Sequence, residues 1–155
     1  MTQLIQTAAL GATSVAQSLL GANVAGTGPA FSAYRNSSQT ISALATIAQD
    51  VKQYDTANAL SAGVFTAPVA GYYWFNGLCA NATTPCLMQM RFKKNASEYY
   101  YGAYSTGNVN SAAVTAQIYL ALNDTVELQV SQSVSQSIAT GLAGNFFQGA
   151  LVRST

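Results

Sequence analysis

Phe65-Thr-Ala-Pro68-Val-Ala-Gly71-Tyr72-Tyr73-Trp74-Phe75-Asn-Gly77 is the stretch on which the reading of this chain turns. Pro68 fixes its own φ and donates no backbone hydrogen bond, and Gly71 tolerates a tight approach, so the segment opens as a turn. Tyr72 to Phe75 then place four aromatic residues in a row, a composition that suits a pleated, half-buried surface. Strand alternation sets Tyr73 and Phe75 on one face and Tyr72 and Trp74 on the other. Large rings on both faces require cover on both sides, either from a second sheet or from a partner subunit.

Downstream the pattern stays strand-like. Leu87, Gln89 and Arg91 alternate with Met88, Met90 and Phe92, and the aromatic run from Tyr99 to Tyr104 is flanked by Asn95, Ser97 and Gly107. Ala112 to Ala121 continues the pattern, Asn123-Asp124 reads as a turn, Val126, Leu128 and Val130 share a face, and Phe147 to Val152 forms a last strand. Short strands between turn signals indicate an antiparallel sandwich or jelly roll. Its pairings are non-local, which predicts slow folding. Upstream, Ile41, Leu44, Ile47, Ala48 and Val51 have helical spacing, although the stretch from Thr46 to Gln53 also alternates. Periodicity alone favours a helix there.

Residues 1–27 differ from the rest, with no aromatic and no charge. Leu4, Ala8, Ala12, Val15 and Leu19 recur at helical spacing, Gly11 weakens that helix by about 1 kcal/mol relative to alanine, and the pattern is too short for a trimeric coiled coil. Residues 1–27 are expected to be an anchoring segment that docks the following domain, residues 28–155, onto a larger body. A flexible tail is the competing reading.

Length fits one domain able to bury a core. Charged residues are only 7% of the 155 and half are apolar, against about a quarter charged in ordinary domains, so the surface must be Ser, Thr, Asn, Gln and Gly. Such a surface suits a protein held in a packed assembly. The net charge of +1 offers nothing to nucleic acid or an anionic membrane. No basic residue precedes Arg35, and no apolar run suits a signal peptide or membrane span, so neither secretion by the standard route nor membrane insertion is expected. The Asn-x-Ser/Thr sites at Asn36, Asn81, Asn95 and Asn123 read as accidents of composition.

The sequence has no His, which removes the commonest general base and metal ligand. No enzyme and no cofactor are expected. Gly26-Thr27-Gly28 leads into Pro29 rather than a helix, so it is a turn and no phosphate cradle. Among scattered acids, Asp124 and Glu127 are the candidates for an oxygen-ligand calcium site, though a turn Asp and a solvent-facing strand Glu explain them as well. Cys79 and Cys86 flank what reads as a hairpin loop. They form either a disulfide across it or two buried thiols, and the missing signal peptide favours thiols. Tyr99, Tyr100, Tyr101 and Tyr104 are the densest aromatic group, with Arg91, Lys93 and Lys94 the local cluster of charge. Tyr99, Tyr101, Tyr104, Arg91 and Lys93 are the candidate ligand-facing residues, suited to stacking on sugars and contacting acidic glycans. A solvated strand end is the plainer alternative for the charges.

Phe65, Gly71, Tyr73 and Phe75 in that spacing resemble the central signature of the C1q/TNF-like family of trimeric jelly rolls. Gly28 to Tyr34 resembles the family's first strand, and Leu120 to Leu128 with Asn145 to Val152 resemble its penultimate and last. Two positions depart: Gly77 stands where the family usually has another aromatic, and Asn58 where it has an aromatic or Leu, so the loop from Ala57 to Gly63 is expected to be remodelled. The resemblance implies an all-β, antiparallel, homotrimeric jelly roll with no enzymatic activity. It implies that Ile41 to Tyr54 is a strand pair instead of a helix. It also makes Phe31, Tyr73, Phe75, Leu128 and Phe147 core and trimer-interface residues, with alternate tyrosines of the Tyr99 group lining the seam. A charge-poor member without a Gly-X-Y stalk looks like those of tailed bacteriophages. The expected role is then a virion-surface knob, a head fibre or capsid decoration docked on a capsid or fibre protein. The alternatives are a tail-fibre tip that recognises host surface glycans and a secreted cytokine-like ligand.

Overall fold

The computed structural model describes residues 28–155; the expected anchor, residues 1–27, lies outside the described residues. Thirteen strands and no helix follow: β1 (Ala30–Tyr34), β2 (Thr40–Ile41), β3 (Leu44–Thr46), β4 (Val51–Asp55), β5 (Leu60–Ser61), β6 (Val64–Thr66), β7 (Gly71–Ala80), β8 (Met88–Lys94), β9 (Glu98–Tyr104), β10 (Ser111–Leu120), β11 (Thr125–Gln132), β12 (Gln136–Ser137) and β13 (Asn145–Ser154). The aromatic strand β7 lies between β10 and β13, paired antiparallel with both along its length. One sheet runs β10-β7-β13-β1-β4; the other runs β5-β6-β11-β8-β9, with β3 also on β11; β2 and β12 form a short ribbon. This is a two-sheet antiparallel jelly roll, as expected.

Period-2 alternation accounts for the core. On β7, Tyr73, Phe75 and Cys79 point inward while Tyr72 and Trp74 point out. Phe31, Phe75 and Phe147 from the five-stranded sheet meet Phe65 and Phe92 from the other. Phe31 and Phe65 stack at 5.0 Å between centroids, and Phe147 meets Phe31 edge-on at 4.8 Å, both favourable ring geometries. Tyr73 carries its hydroxyl into this interior and donates it to the Val69 carbonyl at 2.7 Å.

The segment from Ile41 to Tyr54 is extended, but it is not a strand pair. β2, β3 and β4 pair with β12, β11 and β1. The helical stripe dissolves because Ile41 and Ile47 are buried whereas Leu44 is exposed. The expected hairpin between Cys79 and Cys86 also gives way to a different connection. β7 and β8 belong to different sheets, so residues 81–87 cross the sandwich edge.

The loop from Ala57 to Gly63 is tight. Both oxygens of the Asp55 carboxylate accept backbone N–H bonds, from Ala59 and Leu60, and Asn58 adopts a φ of 51°. Ala62 (φ 49°) and Gly63 (φ 81°) then form the two-residue connection of the β5–β6 hairpin, the positive-φ pair of a type I′ turn. Gly63 is obligatory, since a Cβ there would lie 2.4 Å from the Ile47 carbonyl oxygen. Ala62 is exposed and holds a conformation that costs an L-residue about 1–2 kcal/mol. Replacing Ala62 with Asn, the preferred partner of Gly in this turn, should raise the melting temperature by roughly 2–4 °C. A lowered melting temperature in a thermal scan would contradict this.

The segment entering at Gly28 and the C-terminal residue Thr155 lie at one pole. Leu151 N–H bonds the Pro29 carbonyl, and Thr155 N–H bonds that of Ala70, just before β7.

Candidate functional site

The five-stranded sheet exposes a patch on its outer face. Tyr72 faces Tyr119 in the β7–β10 register, their centroids 5.3 Å apart. Trp74 lies one outward position along from Tyr72. On the other side of β7, β13 carries a bulge that inserts Val152 between Leu151 and Arg153. Tyr72, Trp74, Tyr119 and Val152 are 42%, 44%, 43% and 48% exposed, a degree of exposure that sets them apart from the sealed rings beneath. Tyr72, Gln117, Tyr119, Val152 and Arg153 line an open depression of about 420 Å³. Tyr119 and Val152 carried no local signal in the sequence, because only pairing with β7 brings them beside Tyr72.

Phe31, Tyr73, Phe75, Leu128 and Phe147 are all fully enclosed within a single chain. They form its core and reach no surface at which a second copy could touch them. Any seam on this sheet must use the alternate residues, headed by Tyr72 and Trp74.

The six-stranded sheet brings together the other sequence-predicted residues on its outer face. Tyr99 and Tyr101 project outward from edge strand β9 with centroids 6.1 Å apart, and Tyr104 is exposed farther along. Tyr100, on the opposite face, packs on the core. The tyrosines therefore lie on the sheet opposite the Tyr72 patch and do not line a seam with it. The Arg91 guanidinium sits 4.1 Å from the Tyr99 ring centroid and 5.6 Å from that of Tyr101. Its Nε donates to Gln129 Oε1 at 2.8 Å, and Nη1 donates to the Tyr101 hydroxyl at 3.2 Å.

The lysines beside it are occupied. Lys93 pairs with Glu127 at 2.8 Å, and Lys94 reaches Glu98 at 3.3 Å and Asp124 at 3.5 Å. The Glu127 contact raises the Lys93 pKa. Burial pushes the Glu127 carboxyl upward, but bonds from Lys93 and Thr46 outweigh it and hold the pKa below the usual range. Asp124 is likewise lowered, chiefly by the Asn95 side chain. These two acids are thus engaged by protein donors, and no group of three or more metal-ligating side chains exists among the described residues. Cys79 and Cys86 are buried and free. Burial, reinforced by the neighbouring Cys86, pushes the Cys79 thiol up to about 12, which leaves it protonated and unreactive at neutral pH.

Residues 30–152 match the C1q domain. The chain belongs to the C1q domain family. No curated protein sequence matches it. The globular domain of zebrafish complement 1qA is similar with a TM-score of 0.63 at 18% identity, over 82% of this chain and 99% of that one. Murine APRIL has a TM-score of 0.61 at 9% identity, over 79% of this chain and 98% of the other. The PRD1 vertex protein P5 has a TM-score of 0.58 at 15% identity, over 81% of this chain and 97% of the other. At these identities the likeness is one of fold. In this C1q domain the space over Gly77 is filled from the opposite sheet. A Cβ on Gly77 would lie 2.5 Å from Leu128 Cδ1 and 2.8 Å from Cδ2, so the Leu128 side chain occupies the volume that a ring at position 77 would take.

Proposed function

We propose that this chain is a non-enzymatic homotrimeric knob on a virion surface, a head fibre or capsid decoration. Residues 1–27 act as the anchor and the C1q domain faces outward. The observation that carries the trimer is the exposed Tyr72, Trp74, Tyr119 and Val152 face on a sheet whose opposite face is already sealed. Large apolar side chains gathered on one face are the composition of an interface core. Copies of the chain meeting there would cover the face at little electrostatic cost, because among the described residues Arg153 is the one charged residue lining the depression. The virion assignment is supported by the charge-poor composition and by a fold shared with a vertex protein.

Light scattering at micromolar concentration is expected to give the mass of three 16.1 kDa chains. The Trp74→Glu, Tyr119→Glu double variant should remain folded and run as a monomer. A monomeric wild-type chain refutes the trimer. Deleting residues 1–27 should abolish incorporation into virions while leaving infectivity largely intact. Loss of host adsorption would instead favour a receptor-binding tail-fibre tip, a reading supported by the Arg91 and Tyr101 arrangement on the other sheet.

A further inference from the structure

We propose that Arg91, Tyr99 and Tyr101 form a binding site for an acidic saccharide, with Arg91 taking the sugar carboxylate and the tyrosine rings packing on the sugar's apolar face. It rests on the proposed trimer only in that the six-stranded sheet is then the face left to solvent. The argument begins with charge. Among the described residues, Lys93 and Lys94 on the same strand have carboxylate partners, Glu127 for the first and Glu98 and Asp124 for the second, whereas Arg91 has none. Its charge is therefore uncompensated on a surface otherwise made of tyrosine, glutamine and paired ions.

Arg91 is also fixed in place. Gln129 holds Nε, the Tyr101 hydroxyl holds one Nη1 proton, and the Tyr99 ring lies under the guanidinium plane. Of its five N–H donors, three remain for a ligand. Arginine presents such donors as a planar fork that matches a carboxylate bidentately.

The tyrosines supply the second half of the recognition. Tyr101 is 54% exposed and Tyr99 40%, and β9 is an edge strand, so a ligand can approach them from the side. A rigid ring with a hydroxyl at its tip offers an apolar face to sugar C–H groups and a hydrogen bond to sugar hydroxyls. A free small anion would use Arg91 and leave the rings idle, and a neutral sugar would do the reverse. A carboxylated sugar engages both.

The test is calorimetric titration of the full chain with trigalacturonate and sialyllactose, each beside its methyl ester. At least one acid is expected to bind, its ester about tenfold or more weaker. Arg91→Gln and Tyr101→Ala, both exchanges at the solvent-facing sheet surface, should each weaken the acid about tenfold with melting temperatures unchanged. Binding by neither acid at millimolar concentration, equal binding of acid and ester, or undiminished binding by Arg91→Gln overturns the site. Wild-type chain that binds the acid but runs as a monomer refutes the trimer and leaves the site standing; a trimer that binds neither acid does the opposite.

Discussion

Phe75→Ala is expected to yield little or no soluble folded protein. The ring lies at the crossing point of both sheets, with centroids 6.3 Å from Phe31, 5.6 Å from Phe65, 6.0 Å from Tyr73, 5.7 Å from Phe92 and 5.8 Å from Phe147. Truncation removes its burial and leaves a void that the two hydrogen-bonded sheets cannot close around, a loss of about 3–5 kcal/mol. Net stabilities of about 5–15 kcal/mol leave little after that. The adjacent Trp74→Ala is the control. Its ring faces outward and is half exposed, so its loss should weaken association while the single-chain fold survives. Urea titration measures both, and a Phe75→Ala midpoint matching wild type would show that the ring does not hold the sheets together.

Gly77→Val and Leu128→Ala should each destabilise the domain and partly rescue one another. Valine at position 77 would drive its side chain into the Leu128 methyls, an overpacking cost of about 1–3 kcal/mol. Alanine at 128, fully buried, opens a cavity at a cost of about 2–5 kcal/mol. Combined, the valine fills the cavity that the alanine leaves, so the double-mutant cycle should show a favourable coupling of about 0.5–3 kcal/mol. Strict additivity in chemical denaturation would mean that Leu128 does not fill the space over Gly77.

The fold was legible wherever alternation was strong. Tyr72 to Phe75, Met88 to Phe92 and Val126 to Val130 announced strand and face together, because a period of two is a local property. Partners are not local. β1 pairs with β13 through Ala30 and Ala150, and nothing in either segment names the other. The same blindness produced the supposed hairpin at Cys79 and Cys86, and the strand pair that the family resemblance implied for Ile41 to Tyr54 fails on the same point: in both places adjacent segments join different neighbours.

The candidate surfaces were half legible for a related reason. Tyr72 and Trp74 could be assigned to a second face, but Tyr119 joins them only through the ten-residue register between β7 and β10. Arg91 and the tyrosines of β9 were close enough in sequence to be grouped. The clamp from Gln129 was not visible, since β11 meets β8 only in the folded sheet.

The shared pole of Gly28 and Thr155 has a mechanical consequence. β1 is flanked on both sides, by β13 and by β4. If the domain is tethered through its Gly28 end and tugged from the far pole, tension runs along β1 and must slide two ladders of hydrogen bonds at once. Pulled between its two ends, the same domain would part by peeling β1 from β13 one bond at a time, so its resistance to force depends on the direction of the load.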